Sequence, residues 1–280
     1  MAPAPSDSGL LRFLYGTAAG RLLLRTLTAP WLSRAAGHAM DSRLSKRLIS
    51  GFARRNGINL AEYVPTDYAS FNAFFTRAIR PEARPLDREP SHLMAPCDGR
   101  LSVYAVKEDS LFTIKHSRYD VRALLGGDHR AELFAGGVCL VFRLSVENYH
   151  RYHYLDDGTK GQNHFVPGVL HTVRPIALEH TDVFVQNCRE YTFLNTAHFG
   201  TVAQIEVGAL LVGKICNHHA AHAFRRGEEK GCFLYGGSTV VLLLQKGAAR
   251  VEDRFWQATA KNEEVPVRLG ECIGITEKTE

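Results

Sequence analysis

The hydrophobic pattern of the first sixty residues is that of short helices. Across residues 9–37, brief apolar runs alternate with arginines, and this spacing predicts two amphipathic helices. Pro30 is expected to end or kink the pattern, because proline is not tolerated inside a helix. Residues 41–55 predict a further helix with its apolar side chains on one side. Charges interrupt every apolar run well before about 18 residues, so we expect no membrane-spanning helix.

The pattern changes to that of strands from residue 93 onward. A short helix and an extended, proline-rich connection over residues 70–87 precede the change. Beyond it, short apolar runs alternate with turn residues, which predicts a mostly antiparallel, β-rich body of sandwich-like or barrel-like form. One helix is expected to interrupt this body near RYDVRALLGG. We therefore predict an α+β fold, with a helical segment over residues 1–60 and a β-rich domain over residues 61–280.

The composition is that of an ordinary globular protein, with 45% hydrophobic and 22% charged residues in a chain of 280. Its six cysteines form no Cys-x-x-Cys pair, which favours a reducing compartment over a disulfide framework. The start of the chain, MAPAPSDSG, lacks a charged stretch followed by an apolar run, so we expect no signal peptide.

The positive charge is concentrated in the N-terminal segment. Residues 1–60 hold nine Lys and Arg against two acidic residues, a net charge of +7, while the whole chain is only +5. Two interpretations are open. The helices are either a cap packed on the protein's own body, or a surface that lies on anionic lipid with Trp31 and the leucines inserted. Nucleic-acid binding is not expected, because few aromatic residues accompany the basic ones.

A glycine pair before a serine marks the stretch GCFLYGGSTVVLLL, residues 231–244. The serine, Ser238, opens a dense apolar strand. It is not the Gly-x-Ser-x-Gly elbow of α/β-hydrolases, because position 240 is valine and no helix follows the serine.

Other reactive side chains fall in three separate segments. Asp98 lies at an Asp-Gly turn before a strand, and His150 and His153 stand three apart near a strand end. With Ser238, they offer the parts of a nucleophile, base and orienting acid. A fourth segment, CNHHAAHAF, gathers Cys216, His218, His219 and His222. Its spacing matches no common zinc site, so we expect a polar, partly exposed loop there and no metal.

Six motifs spread over nearly the whole chain point to one family. They are SFNAFFTR, APCDGR, NYHRYHY, FVPGVL, VGALLVGKI and GCFLYGGSTV. Through them the sequence resembles the phosphatidylserine decarboxylases of the prokaryotic, pyruvoyl-dependent type. The last two motifs, in this order near the C-terminus, are highly specific.

The resemblance implies that Ser238 is both nucleophile and cofactor precursor. His153, oriented by Asp98, would remove the proton of the Ser238 hydroxyl, whose oxygen would attack the carbonyl carbon of Gly237. β-Elimination of the resulting ester and hydrolysis would then leave a covalent pyruvoyl group. Glycine before the serine suits this attack, because it leaves the carbonyl unhindered and the backbone free to bend.

The same resemblance implies two product chains and a lyase activity. Cleavage would give a β chain, 1–237, and an α chain, 238–280, which its buried strand would keep anchored. The pyruvoyl ketone would form a Schiff base with phosphatidylserine and accept the electron pair as carbon dioxide leaves, giving phosphatidylethanolamine. His150 is expected to bind the headgroup or to return the proton.

The implied partners are phosphatidylserine and an anionic phospholipid surface, at the cytoplasmic face of the cell membrane. Residues 1–60 would then be a membrane-association segment and residues 61–280 the catalytic domain. No metal is expected, and whether copies of the chain form a homo-oligomer is left open.

Three alternatives remain at this stage. They are a pyruvoyl-dependent decarboxylase of a soluble amino acid, an uncleaved Ser-His-Asp hydrolase, and a lipid-binding module without catalysis. The basic amphipathic N-terminus favours a lipid substrate over a soluble one. The presence of Asp98, His153 and Ser238 together disfavours the non-catalytic module.

Overall fold

The N-terminal third is helical. A computed structural model describes residues 9–114, 117–209, 214–234 and 238–277. The α-helices of this third are α1 Gly9–Gly16, α2 Ala18–Leu27, α3 Pro30–Asp41, α4 Ile49–Arg55 and α5 Phe71–Phe75. Short 3-10 helices span Arg43–Leu48, Leu60–Glu62 and Pro81–Ala83.

The two helices predicted over residues 9–37 are three in the structure. Thr17 divides the first pair, because its side chain accepts a hydrogen bond from the Gly20 amide and so caps α2. The boundary predicted at Pro30 is confirmed: α2 ends at Leu27 and Pro30 begins α3, which fits the preference of proline for the first helical position. The helix predicted over residues 41–55 is a 3-10 turn followed by α4.

Antiparallel strands form the rest of the protein. The strands are β1 His92–Met94, β2 Gly99–Ala105, β3 Leu111–Ile114, β4 Ser117–Asp120, β5 Val138–Leu144, β6 Arg151–His153, β7 Gly158–Lys160, β8 His164–Val166, β9 Arg189–Thr196, β10 Gly200–Val207, β11 Ile215–Asn217, β12 His222–Phe224, β13 Glu229–Phe233, β14 Ser238–Leu244, β15 Ala249–Val251, β16 Val265–Val267 and β17 Cys272–Thr276. The helices among them are α6 Val121–Leu124, α7 Pro175–His180, α8 Val183–Gln186 and α9 Asp253–Ala260, with a 3-10 helix at His129–Phe134. The α+β class and the helix expected near RYDVRALLGG are both confirmed.

One nine-stranded sheet organises the body. Its order is β12-β7-β9-β10-β14-β5-β2-β16, with β8 also paired to β9. Smaller sheets are β1-β17-β15, β11-β13-β6 and the hairpin β3-β4. Within the described residues the large sheet ends at β12 and β16, so it is open and the barrel-like form is not found.

The centre of the large sheet is the core of the protein. Every residue of β14 is buried, since β5 and β10 pair with its two edges. Such a strand reads as a continuous apolar run because neither face reaches water. A buried ion pair links this sheet to the small sheet β11-β13-β6: the ammonium of Lys230 on β13 is 2.8 Å from Glu206 on β10, and both side chains are fully enclosed.

The N-terminal helices pack on this body with one side only. Leu14, Tyr15 and Leu24 belong to the main core, and the Tyr15 hydroxyl lies 3.2 Å from the His171 ring. Gly20 lets α1 and α2 touch, because a Cβ there would lie 2.0 Å from the Phe13 carbonyl oxygen. The boundary at residue 60 stays a prediction. No described helix has the length and apolar character needed to cross a bilayer.

Candidate active site

One end of the large sheet collects the predicted reactive residues. Ser238 is the first residue of β14 and the register partner of Leu144, the last residue of β5. Both β14 and β2 run antiparallel to β5, so the two strands start at the same sheet end. Asp98 directly precedes β2, and it therefore lies at this end as well.

Backbone hydrogen bonds tie both histidines of NYHRYHY to the same end. The Phe233 amide donates to the His150 carbonyl at 2.9 Å, and Phe233 closes β13 shortly before β14 begins. The His153 amide donates to the Pro96 carbonyl at 2.8 Å, two residues before Asp98. The fold thus brings together the segments that carry the acid, the two histidines and the serine.

The His153 ring is buried and held in one tautomer. Its Nδ1–H donates to the Gly227 carbonyl oxygen at 3.0 Å, so in the neutral ring Nε2 carries the lone pair. This buried Nε2 has no hydrogen-bond partner among the described residues. Burial lowers the pKa of His153, although the Gly227 carbonyl and the charges of Glu229 and Asp98 act in the opposite direction. The ring is therefore a neutral base at pH 7.

Gly227 can orient this ring only because it is glycine. Its φ of +76° is in the left-handed region, and a Cβ at this position would lie 2.3 Å from Leu86 Cδ1. A side chain would therefore strain the turn and move the carbonyl that holds His153.

Asp98 is held by partners other than His153. Arg84 donates to both carboxylate oxygens, at 2.8 and 2.7 Å, and the Leu269 amide donates to Oδ1 at 2.9 Å. The expected orienting contact, a hydrogen bond from the His153 ring to the Asp98 carboxylate, is absent from the described residues, because Nδ1–H donates to the Gly227 carbonyl instead. Asp98 instead acts on His153 through its charge.

The Ser238 hydroxyl is fully buried and has no hydrogen-bond partner among the residues the structure describes. Most buried hydroxyls are paired, so an unpaired one needs a reason. The unpaired hydroxyl makes Ser238 the candidate nucleophile of this site. Gly236 and Gly237, the other predicted residues of this corner, lie outside the described residues.

His150 is enclosed beside an aromatic side chain. Its Nδ1–H donates to the Asn148 carbonyl at 2.9 Å, and its ring centroid is 4.1 Å from that of Phe75. The preceding loop is fixed by Arg77, which donates to the carbonyls of Glu147 and Asn148 at 3.0 and 3.2 Å. His150 is thus placed by the SFNAFFTR segment.

Three supporting residues were missed at the level of sequence: Arg77, Arg84 and Gly227. The first lies in a motif that carried the family resemblance, and this was the available signal for it. Gly227 contributes a backbone carbonyl, which every residue type offers, so no sequence pattern points to it. The residues of the CNHHAAHAF segment lie in two places. Cys216 is paired in register with Cys232 across β11 and β13, whereas the rings of His219 and His222 stack with their centroids 3.8 Å apart.

Known proteins match this chain over most of its length. The family model for phosphatidylserine decarboxylase matches residues 71–275. A phosphatidylserine decarboxylase proenzyme 2 of Clostridium acetobutylicum is 40% identical over 270 residues, covering 96% of this chain and 92% of that protein. A phosphatidylserine decarboxylase proenzyme of Ruminiclostridium cellulolyticum is 36% identical, covering 95% and 90%. One of Desulfitobacterium hafniense is 33% identical, covering 96% and 92%.

The family match and the names of these relatives define the class of protein, an enzyme that removes a carboxyl group, or carboxy-lyase. The chain belongs to the phosphatidylserine decarboxylase family. This membership sets aside the uncleaved hydrolase and the non-catalytic lipid-binding module.

The lowered pKa of His153 predicts a loss of stability in acid. The unfolded chain takes up a proton near pH 6.5 and the folded one does so only at lower pH, so stability is full above about 6.5 and falls below it. Urea unfolding of the Ser238→Ala chain at several pH values measures this. His153→Gln should remove a slope approaching about 1.4 kcal/mol per pH unit.

His129→Gln is the surface control, with a side chain 86% exposed, and it should keep the parent's pH dependence. An unchanged slope in His153→Gln would show that His153 is protonated equally in both states.

Proposed function

We propose that this protein converts phosphatidylserine to phosphatidylethanolamine, using a pyruvoyl group made from its own Ser238 by self-cleavage after Gly237. The observation that carries the proposal is the Ser238 hydroxyl, buried and without a hydrogen-bond partner among the described residues at the start of β14. Family membership supports the lyase reaction, and the matching relatives are named as proenzymes.

Self-cleavage begins with proton transfer from Ser238 Oγ to the bare Nε2 of His153. A neutral imidazole fixed by its other nitrogen is a suitable base, and such a base contributes about 10²–10⁴-fold. Oγ then attacks the carbonyl carbon of Gly237, the C–N bond breaks, and the amine takes the proton. This N-to-O shift leaves an ester between Gly237 and the side chain of Ser238.

Elimination completes the change. Loss of the Cα proton of residue 238 expels the Gly237 carboxylate from Cβ and leaves dehydroalanine. Water replaces its nitrogen, ammonia is released, and a ketone blocks the new α chain. The products are the β chain 1–237 and the α chain 238–280.

The site fits a small carbonyl group at this position. The Ser238 side chain has no competing hydrogen bond in the described structure, so its replacement by a ketone breaks none there. When present, the pyruvoyl group would supply a carbonyl for the substrate amine and an electron sink for the pair released as carbon dioxide leaves. The pyruvoyl and the reaction need no metal.

His150 has the second role in the proposal. Its Nδ1–H is fixed by the Asn148 carbonyl, so its Nε2 is the nitrogen that can exchange a proton. We assign to it headgroup contact or the return of a proton to the substrate carbon. Asp98, held by Arg84, supports His153 through its negative charge.

The N-terminal helices would bring the enzyme to its substrate. Their inner side packs on the body, while the outer side exposes Leu22 at 68%, Leu23 at 55% and Trp31 at 57%. Exposed arginines accompany them, among them Arg21 and Arg25. Large apolar side chains beside cations suit an anionic lipid surface, at the cytoplasmic face of the membrane in this proposal. The two interpretations of these helices are thus compatible: the inner side packs on the body as a cap, and the outer side would lie on lipid.

Replacement of the serine should leave the chain whole. Intact mass under denaturing conditions should show two chains for the parent and one full-length chain for Ser238→Ala, because the nucleophile is gone. Ser102→Ala is a matched control, a buried serine of the same sheet on β2, which β5 separates from β14, and it should still cleave. The same two fragments from Ser238→Ala would assign the cut to a contaminating protease.

The two histidines should separate into two stages. His153→Ala and Asp98→Ala should accumulate full-length, inactive chain, because proton removal from Ser238 fails. His150→Ala should still cleave, at least in part, yet decarboxylate far more slowly. A gel and an ethanolamine-lipid assay measure both stages. Complete block of cleavage in His150→Ala with normal cleavage in His153→Ala would reverse the assignment.

Binding to anionic vesicles should be reversible and salt-sensitive. Each basic residue near the surface adds about 1 kcal/mol, and each leucine that buries fully adds about 1.5–3 kcal/mol. The triple change Leu22→Ser, Leu23→Ser and Trp31→Ser should therefore reduce co-sedimentation with phosphatidylserine-containing vesicles more than about tenfold.

Leu133→Ser is the control for that experiment, since Leu133 is 43% exposed but lies on the body. It should bind as the parent does. Equal binding by the triple variant would exclude the N-terminal helices as the docking surface and would favour a soluble substrate.

A further inference from the structure

Three side chains with metal-ligating atoms converge away from Ser238. His219 lies in the loop after β11, His222 begins β12, and Glu228 lies in the turn before β13. One ligand atom from each lies within 4.8 Å of the other two. The Glu228 Oε1 is 2.7 Å from His222 Nε2 and 3.9 Å from His219 Nε2. Glu228 was not part of the linear CNHHAAHAF cluster, for which the spacing predicted no metal.

We propose that His219, His222 and Glu228 bind a divalent transition-metal ion, with Zn²⁺ the best match. Zinc takes two histidines and one carboxylate at about 2.0–2.1 Å and leaves a fourth position for water. Bonds of that length around a tetrahedral ion keep the ligand atoms about 3.3 Å apart. The 3.9 Å distance from Glu228 to His219 is close to that value, and the 2.7 Å contact is a hydrogen bond from His222 Nε2–H whose proton the ion would replace.

The imidazole rings must turn to bind the ion. They stack at 3.8 Å with an angle of 11°, and the lone pairs of parallel rings do not meet at one point. Both side chains are about 30% exposed, so neither is locked by surrounding core. A modest rotation of each ring brings the two Nε2 atoms toward one ion beside the carboxylate.

The backbone around the three ligands is already fixed. The His219 carbonyl accepts hydrogen bonds from the buried Lys160 ammonium at 2.7 Å and from the Asn163 amide at 3.0 Å. The Tyr154 hydroxyl lies 3.4 Å from His219 Nδ1. When Nδ1–H donates to the Tyr154 oxygen, Nε2 carries the lone pair that a metal needs.

Glu228 is positioned as well. Its Oε2 accepts from the Arg225 amide at 3.0 Å, which leaves Oε1 toward the two rings. Glu228 directly follows Gly227, whose carbonyl orients His153, so a bound ion would stiffen the turn that holds the proposed base. That consequence rests on the proposed function, whereas metal binding itself does not.

Calorimetric titration of Zn²⁺ into the tag-free, chelator-treated Ser238→Ala chain tests the proposal. We expect one ion per chain, and we expect Co²⁺ at the same site to give the visible absorption of a tetrahedral complex. His222→Ala and Glu228→Gln should each lose affinity by more than the about 10–100-fold seen when only an outer hydrogen-bond partner of a ligand is removed.

Two histidine variants are matched controls. His218→Ala removes the neighbour of His219, which bonds to Glu229 instead. His92→Ala removes a histidine of a separate group with Asp87 and Cys272. Both should bind as the parent does.

Absence of binding to the parent, or parent-like binding by Glu228→Gln, would overturn the site. Loss of binding in His218→Ala or His92→Ala equal to that in His222→Ala would also overturn it. Far-UV circular dichroism checks the fold of each variant. In the event that His222→Ala is unfolded, the near-isosteric Glu228→Gln alone tests the site. Because the Ser238→Ala chain performs no turnover, the result stands apart from the decarboxylation proposal.

Discussion

The register of β14 between β5 and β10 is the constraint on which the site depends. Alternate residues of a strand face opposite sides of its sheet, so a slip of one residue would turn Ser238 away from its present surroundings. The register is fixed by seven buried residues that all pair with β5, and the six at positions 239–244 also pair with β10. Asp98 is positioned by the same sheet, through β2, and the two histidines follow the end of β5. The positions of the reactive groups are thus determined by the backbone hydrogen bonds that pair the strands.

Part of this arrangement could be predicted from the sequence because apolar runs report burial. The run after Ser238 is continuous, and it proved to be a central strand. The groups that position the site were harder to foresee. The ring of His153 is held by a carbonyl of Gly227, and Asp98 is held by Arg84, 14 residues earlier in the chain. Every residue type has a backbone carbonyl, and ion pairs between distant residues have no fixed sequence separation. Neither interaction therefore produces a recognisable sequence pattern.

The helical N-terminus shows why one pattern allowed two interpretations. Leucine recurs so often between residues 9 and 37 that several faces of each helix are apolar. Leu14 and Leu24 are buried in the body, while Leu22 and Leu23, on the same helix as Leu24, are exposed. Periodicity identifies an apolar face, yet it cannot say whether protein or lipid covers that face. The boundary at Pro30 could be predicted, because proline does not continue a helix and is well suited to begin one.

The two-sided pairing of β14 has a consequence for refolding once the proposed cut has been made. In the uncut chain, β14 is delivered to β5 and β10 by covalent connection, so its insertion is unimolecular. After cleavage, the same insertion joins two separate molecules, and its rate depends on concentration. A processed protein that has been fully denatured and diluted should then recover slowly or not at all, while its precursor recovers readily. The native two-chain form is in that case maintained by the barrier to unfolding. The topology of the sheet then requires that the chain fold before it is cut.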